Sequence, residues 1–200
     1  MSRLPREFFA RGTLAVARDL LGARLVRILD GQRLSGTIVE CEAYIGQGDT
    51  ACHASRGRTS RTEVMFGPPG FAYVYFTYGM HWMLNVVTEE EGFPAAVLLR
   101  AIQPLEGIET MRALRQAKGR SRGDRELTSG PARLTQALAI DKTLNGADLV
   151  AGDGLWLEPE GPFPDDSVER GLRIGINYAA EKDQLAPWRF WVRGNPYVSR

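Results

Sequence analysis

Gly79 is the residue that most restricts how this chain can fold. It stands between "YVYFTY", where strand alternation holds up to Thr77, and the second apolar run "MHWMLNVV". A glycine between two such runs marks the tip of a β-hairpin. The hairpin in turn fixes both runs as antiparallel neighbours with defined faces. Similar signals recur along the chain. "RLVRIL", a "DGQ" turn and "SGTIVECEAYIG" predict a second hairpin. "AAVLLRAIQPLEG", "GLWLEP", "GLRIGINY" and "WRFWVRG" read as further strands between turns. Helical spacing appears over 6–21, ended by Gly22, and over 106–118 and 131–140, where Pro131 suits the first helical position. Residues 47–70 are polar and rich in Gly and Pro, which predicts a long loop with one short helix. The expected architecture is α+β: a single domain over 1–200, with a curved, mostly antiparallel sheet, flanking helices and a protruding β-hairpin. Tyr78 sits at that hairpin's tip, where a large ring buries little against its own core.

Composition narrows the setting. Of 200 residues, 44% are hydrophobic and 24% charged, which suits a globular chain. No stretch approaches eighteen uninterrupted apolar residues, and "MSRLPREFFARG" has no signal-peptide core. A soluble, cytoplasmic protein with no membrane partner is therefore expected. Cys41 and Cys52 read as reduced thiols. Only Lys118, Lys142 and Lys182 are lysines among the 25 basic residues. Arginine dominance suits bidentate phosphate contacts, and genome base composition produces the same excess. Seven cations lie between Arg112 and Arg133. A run of that kind usually means a solvated helix face followed by a loop.

Several residues stand out chemically. In "TIVECEAY", alternation places Glu40, Glu42 and Tyr44 on one strand face and Val39, Cys41 and Ala43 on the other. The two carboxylates lie roughly 7 Å apart along the strand, close enough to perturb each other and poise a general base. The plainer reading is the charged outer face of an edge strand, and strand carboxylates usually face water. His53, Cys52, Cys41 and His81 are potential zinc ligands, but no short chelating pair is present, so no metal is expected. His53 reads better as a loop donor to a ligand or to backbone. Asn85 interrupts an apolar strand, either capping backbone at a bulge or facing a pocket. Arg100 closes its strand, with Glu40 or Glu42 as a candidate partner. Tyr44, Tyr73, Tyr75, Trp82 and Trp191 are ordinary core candidates.

Taken together these blocks form a pattern. "VECEAYIGQGDTACHASRGRTSRTEVMFGPPGFAYVYFTYGMHWMLNVV", "AVLLRAIQPLEG", "SGPARLTQALAID" and "RIGINY…RFWVRGNPYVS" closely resemble the alkyladenine (3-methyladenine) DNA glycosylase family, in order along nearly the whole chain. The resemblance implies a monofunctional enzyme that flips a damaged purine out of duplex DNA and hydrolyses its N-glycosidic bond with water, starting base excision repair. It also implies a monomer acting on double-stranded DNA without a cofactor. Glu42 is the implied general base, with the water also touching Arg100 and the Ile174 carbonyl. The base would stack between Tyr44 on one side and His53 and Tyr75 on the other, its edge bonded by main-chain groups near Ala51 and His53. Asn85 would clash with a guanine 2-amino group. Tyr78 would enter the duplex in place of the flipped nucleotide. Ile174, His81 and the 56–64 segment depart from well-known relatives, and no DNA contacts are assigned to 56–64.

Two other classes fit parts of the sequence. A non-catalytic nucleic-acid-binding β module would use Tyr75 and Tyr78 as stacking platforms and the arginines as phosphate contacts. It leaves Glu42 and Asn85 without a role. A carbohydrate hydrolase would pair Glu40 with Glu42, although two carboxylates on one strand face are poorly placed to flank a bond.

Overall fold

A computed structural model describes residues 2–117 and 123–199. The sheet is built around one long strand. β1 (Arg24–Leu29) turns through Asp30 and Gly31 into β2 (Gln32–Ile45). Both turn residues have positive φ, 49° and 77°, which gives the hairpin the twist its strands need. β3 (Ala72–Thr77), β4 (His81–Val87), β5 (Ala95–Glu106) and β6 (Leu155–Glu158) complete the main path, in the order β3-β4-β5-β2-β1-β6. β7 (Val168–Gly171) pairs with β8 (Arg189–Val192), and β8 also joins β2. All of these pairings are antiparallel. The fold class is α+β.

β2 changes neighbours along its length. Up to Thr37 it pairs with β1, and at Glu40–Glu42 the same edge pairs with β8 while β5 follows the other edge. Two register shifts against β5 leave Val39 and Arg100 without ladder partners. Bulges of this kind bend a strand and re-aim its side chains. Glu40 and Glu42 thus lie in the middle of the sheet, not on an edge strand, and both are buried. Val39, Cys41 and Ala43 enter the main core with Leu25, Leu84 and Leu99. On the opposite face Ile174 and Ser199 bond to Glu42 and Glu40, and Ala51, Ile176 and Ala179 pack with Tyr44.

The helices differ from the expected pattern at the N-terminus. The predicted helix over 6–21 is two pieces, α1 (Arg6–Phe9) and α2 (Thr13–Asp19). The Glu89 carboxylate accepts from Thr13 N at 2.6 Å and Thr13 Oγ1 at 2.7 Å, so α2 starts on a cap supplied from elsewhere in the chain. α3 (Ile108–Gln116) and α4 (Pro131–Ala137) match the other two expectations, with Pro131 in the first turn. Residue 118 of the predicted helix, and Lys118, Arg120 and Arg122 of the cationic run, lie outside the described residues. A short α5 spans Glu181–Gln184, and the 47–70 loop holds two 3-10 turns, His53–Arg56 and Glu63–Phe66. "GLRIGINY" is not a strand beyond Gly171. Arg173 is buried against Asp49 and Gly175 has φ 79°, which takes this segment out of the ladder. Among the described residues no helix is long and apolar enough to cross a membrane. Both cysteines are free and buried.

Candidate active site

The centre of β2 carries a buried polar cluster built on Glu40, Glu42 and Arg100. Glu42 is 0% exposed and its carboxylate is engaged on both oxygens. Oε1 meets Arg100 Nη1 at 3.0 Å and accepts from the Ile174 amide at 2.7 Å. Oε2 accepts from the Tyr44 hydroxyl at 2.9 Å. Burial, then the Glu42 charge, pushes the Tyr44 phenol well above its ordinary range, so it remains a donor. Burial opposes the Arg100 charge, but Glu42 and Glu40 outweigh it and raise the guanidinium's pKa. Arg100 therefore bridges both carboxylates of the strand, its Nε reaching Glu40 at 2.8 Å.

A cavity of about 810 Å³ opens beside this cluster. That lies within the range of small-molecule sites and has room for a purine. Tyr44, Ala51, His53, Tyr75, Tyr78, Asn85, Arg100 and Ile174 all line it. Glu42 sits behind them, in contact with Tyr44, Arg100 and Ile174. His53 and Tyr75 pack edge to face with ring centroids 4.4 Å apart, and His53 Nδ1 lies 3.0 Å from the Tyr73 hydroxyl. Burial, with a smaller contribution from Arg61, lowers the His53 pKa to about 4, so the ring is neutral near pH 7. Arg61 lies over the Tyr75 ring at 5.4 Å. The buried Asn85 donates from Nδ2 to the Tyr73 carbonyl at 3.1 Å and also lines the cavity, so it both caps backbone and faces the pocket.

The hairpin tip has the opposite character. Tyr78 and Gly79 both have positive φ, 52° and 67°, and Met80 N closes the turn on the Thr77 carbonyl. Tyr78 is 77% exposed and Met80 65%. The Tyr78 hydroxyl lies 4.0 Å from where a Cβ on Gly175 would stand, so the ring spans from the tip toward the 172–178 segment.

Sequence reasoning missed the residues that hold the walls. Arg173 is fully buried, with Nη1 and Nη2 bonded to Asp49 at 2.6 and 2.9 Å. Its guanidinium lies 4.8 Å from the Tyr44 ring and 4.9 Å from the Trp188 ring. Asp49 also accepts from the Ile45 and Ala51 amides, tying the loop to β2. Tyr178 closes the other side, donating from its hydroxyl to the Ala51 carbonyl at 3.0 Å. An arginine inside the apolar run "GLRIGINY" was the only local hint of any of this. Among the described residues, no group of three or more His, Cys, Asp or Glu side chains could hold a metal ion.

Comparison with known proteins agrees along nearly the whole chain. The family model described as "Methylpurine-DNA glycosylase (MPG)" matches residues 7–196. The chain is 53% identical over 197 residues to a protein of Carboxydothermus hydrogenoformans, covering 98% of each. It is 52% identical over 200 residues to one of Methanocella arvoryzae, covering 100% of this chain and 97% of the other. Both relatives carry the name "Putative 3-methyladenine DNA glycosylase". The chain belongs to the methylpurine-DNA glycosylase family: it is an enzyme, a hydrolase of the N-glycosidic bond in DNA.

Proposed function

We propose that this family member is a monofunctional glycosylase that flips alkylated or otherwise damaged purines out of duplex DNA and releases them with water. The single observation that carries this reading is a buried carboxylate–guanidinium pair, Glu42 with Arg100, set directly against an aromatic cavity of purine size. Glu42 acts as general base. As the water oxygen bonds to the sugar C1′, its proton passes to the Glu42 carboxylate. The electron pair of the breaking C–N bond goes to the purine. An alkylated purine such as 3-methyladenine already carries positive charge, so it leaves as a neutral molecule and needs neither metal nor cofactor. Arg100 orients the carboxylate and the water, and the Ile174 carbonyl offers that water an acceptor.

The base stacks between Tyr44 on one side and His53 and Tyr75 on the other, where a cationic ring gains from aromatic faces. A neutral His53 suits that cargo, because a charged imidazole would repel it. Main-chain groups near Ala51 and His53 hold the base edge, and Asn85 excludes the guanine 2-amino group. Tyr78 fills the gap left in the duplex; flipping costs a few kcal/mol, least for damaged or mismatched bases. Residues 1–200 work as one domain and as a monomer, in the cytoplasm. Water and not an amine is the nucleophile: among the described residues no lysine lines the cavity. The carbohydrate reading finds no support, since Glu40 and Glu42 both bind Arg100 and do not flank an open cleft.

The test is to incubate the purified protein with duplexes that each carry one defined lesion and score abasic sites. Release of free base without a borohydride-trapped protein–DNA adduct is expected. No base release from any alkylated duplex, or a trapped adduct, overturns the proposal.

A further inference from the structure

Glu40 has no part in the hydrolysis just described, yet it is one of the most heavily bonded side chains in the molecule. It is 0% exposed. Its Oε1 accepts from Arg100 Nε at 2.8 Å, Arg189 Nε at 2.7 Å and Ser199 Oγ at 2.8 Å, and its Oε2 accepts from Ser199 N at 2.6 Å. Four segments meet there: β2, β5, β8 and the 193–199 stretch. A carboxylate this far from water persists only when its partners are close and well aimed.

The consequence falls on Arg100. Its guanidinium is planar, so fixing two of its nitrogens fixes the third. Nε is held by Glu40 and Nη2 donates to Ser199 Oγ at 3.2 Å. The remaining nitrogen, Nη1, is the one that meets Glu42 at 3.0 Å. Because Arg100 lies at a register shift, with no β2 residue opposite it, the backbone ladder alone does not set its direction. Accepting the roles of Glu42 and Arg100 in the proposed function, the geometry points to Glu40 as the positioning residue that aims Arg100 at Glu42, with Ser199 and Arg189 steadying Glu40. It is no second acid or base: Glu42 is bonded to three residues that line the cavity, Tyr44, Arg100 and Ile174, whereas of Glu40's partners only Arg100 reaches it and Arg189 and Ser199 do not.

A merely structural ion pair would lower stability and DNA binding along with excision. A positioning residue acts only through Arg100. The experiment measures single-turnover base excision and lesion-duplex affinity for wild type, Glu40→Gln, Arg100→Lys and the double variant, with Ser199→Ala as a milder change and Glu42→Gln as control. Glu40→Gln is expected to slow excision about 30-fold, within the effect of a misplaced catalytic group, while duplex affinity stays within about twofold. The double variant should be no slower than Arg100→Lys alone, because effects of groups that act as a unit do not multiply. Ser199→Ala should slow excision about threefold, the scale of one weakened hydrogen bond. Wild-type excision by Glu40→Gln, or losses that multiply in the double variant, overturns the inference. If Glu40→Gln does not fold by circular dichroism, Ser199→Ala decides, and a wild-type rate overturns it. Normal excision by Glu42→Gln would instead defeat the proposed function, whatever Glu40 does.

Discussion

The floor of the cavity and the tip of its hairpin are built on opposite physical terms. At the floor, Glu42 and Arg100 are buried and hydrogen-bonded from several elements. At the tip, Tyr78 and Met80 stand in solvent on a turn of two positive-φ residues. A buried ion pair tolerates no loose partner, so its geometry is set before any ligand arrives. An exposed ring gains little from its own fold and has its surface free for something else. In the proposed reaction the floor supplies prearranged chemistry and the tip supplies contact area that is realised only on DNA. Changes at the floor should therefore damage catalysis or folding, and changes at the tip only flipping.

The sharpest way to break that contrast is Glu42→Gln. It keeps shape and removes the proton acceptor, so excision should fall by about 10²–10⁴-fold while lesion-DNA binding survives. Near-normal single-turnover excision would remove Glu42 from the role. Next comes the wall that carries Tyr44. Arg173→Gln leaves the buried Asp49 unpaired, and a loss of about 3–5 kcal/mol of stability is expected in denaturant unfolding. A loss below about 1 kcal/mol would mean the pair is not structural.

His53 gives a test through pH. Its pKa is lowered in the fold to about 4 from an ordinary 6.5, chiefly by burial. Between those values the unfolded chain binds the extra proton and the folded chain does not, so this residue's contribution to stability is lost as pH falls from about 6.5 to 4 and levels off below. The full effect is on the order of 3 kcal/mol at most. Unfolding of wild type and His53→Gln, compared at pH 7.5 and 4.5, should show the steeper decline in wild type. Parallel declines would place the imidazole in water.

The tip should respond differently. Tyr78→Ala should lower the flipped population by roughly the stacking energy, about 1–3 kcal/mol, with no change in melting temperature. Tyr78→Phe should match wild type, since the ring and not the hydroxyl stacks. The fluorescence of 2-aminopurine placed beside the lesion reads flipping directly. If Tyr78→Ala flips and excises normally, the tyrosine is no wedge. The smallest expected effect is on undamaged DNA. Asn85→Ala should release normal guanine slowly but measurably by removing a steric gate. No increase over wild type would leave Asn85 as a backbone cap on Tyr73.

Much of the frame was legible in the chain itself. Hairpins at Asp30–Gly31 and Tyr78–Gly79, the strand at 95–106 and the helix opened by Pro131 all follow from local chemistry: backbone conformations few residues tolerate, and alternation that assigns faces. Through the resemblance of whole blocks the chain also pointed to Tyr44, Ala51, His53, Tyr75, Tyr78, Asn85, Arg100 and Ile174, which line the cavity, but not to Tyr178, which lines it too. What local pattern misjudged were features whose cause lies far away in sequence. The helix over 6–21 breaks because Glu89 caps its second half. "GLRIGINY" leaves the sheet because Arg173 is bound to Asp49.

The same division separates Glu40 from its sequence reading. Alternation alone determined that Glu40, Glu42 and Tyr44 share one face of a strand, because side chains on an extended backbone repeat every two residues. Whether that face met water was decided only when Arg100 of β5, Arg189 of β8 and the chain around Ser199 met Glu40 there. A carboxylate's environment is the sum of the charges and donors brought to within a few ångströms by tertiary contacts. Arg100, Arg189 and Ser199 come from 60, 149 and 159 residues away, and no pattern within the strand encodes their arrival.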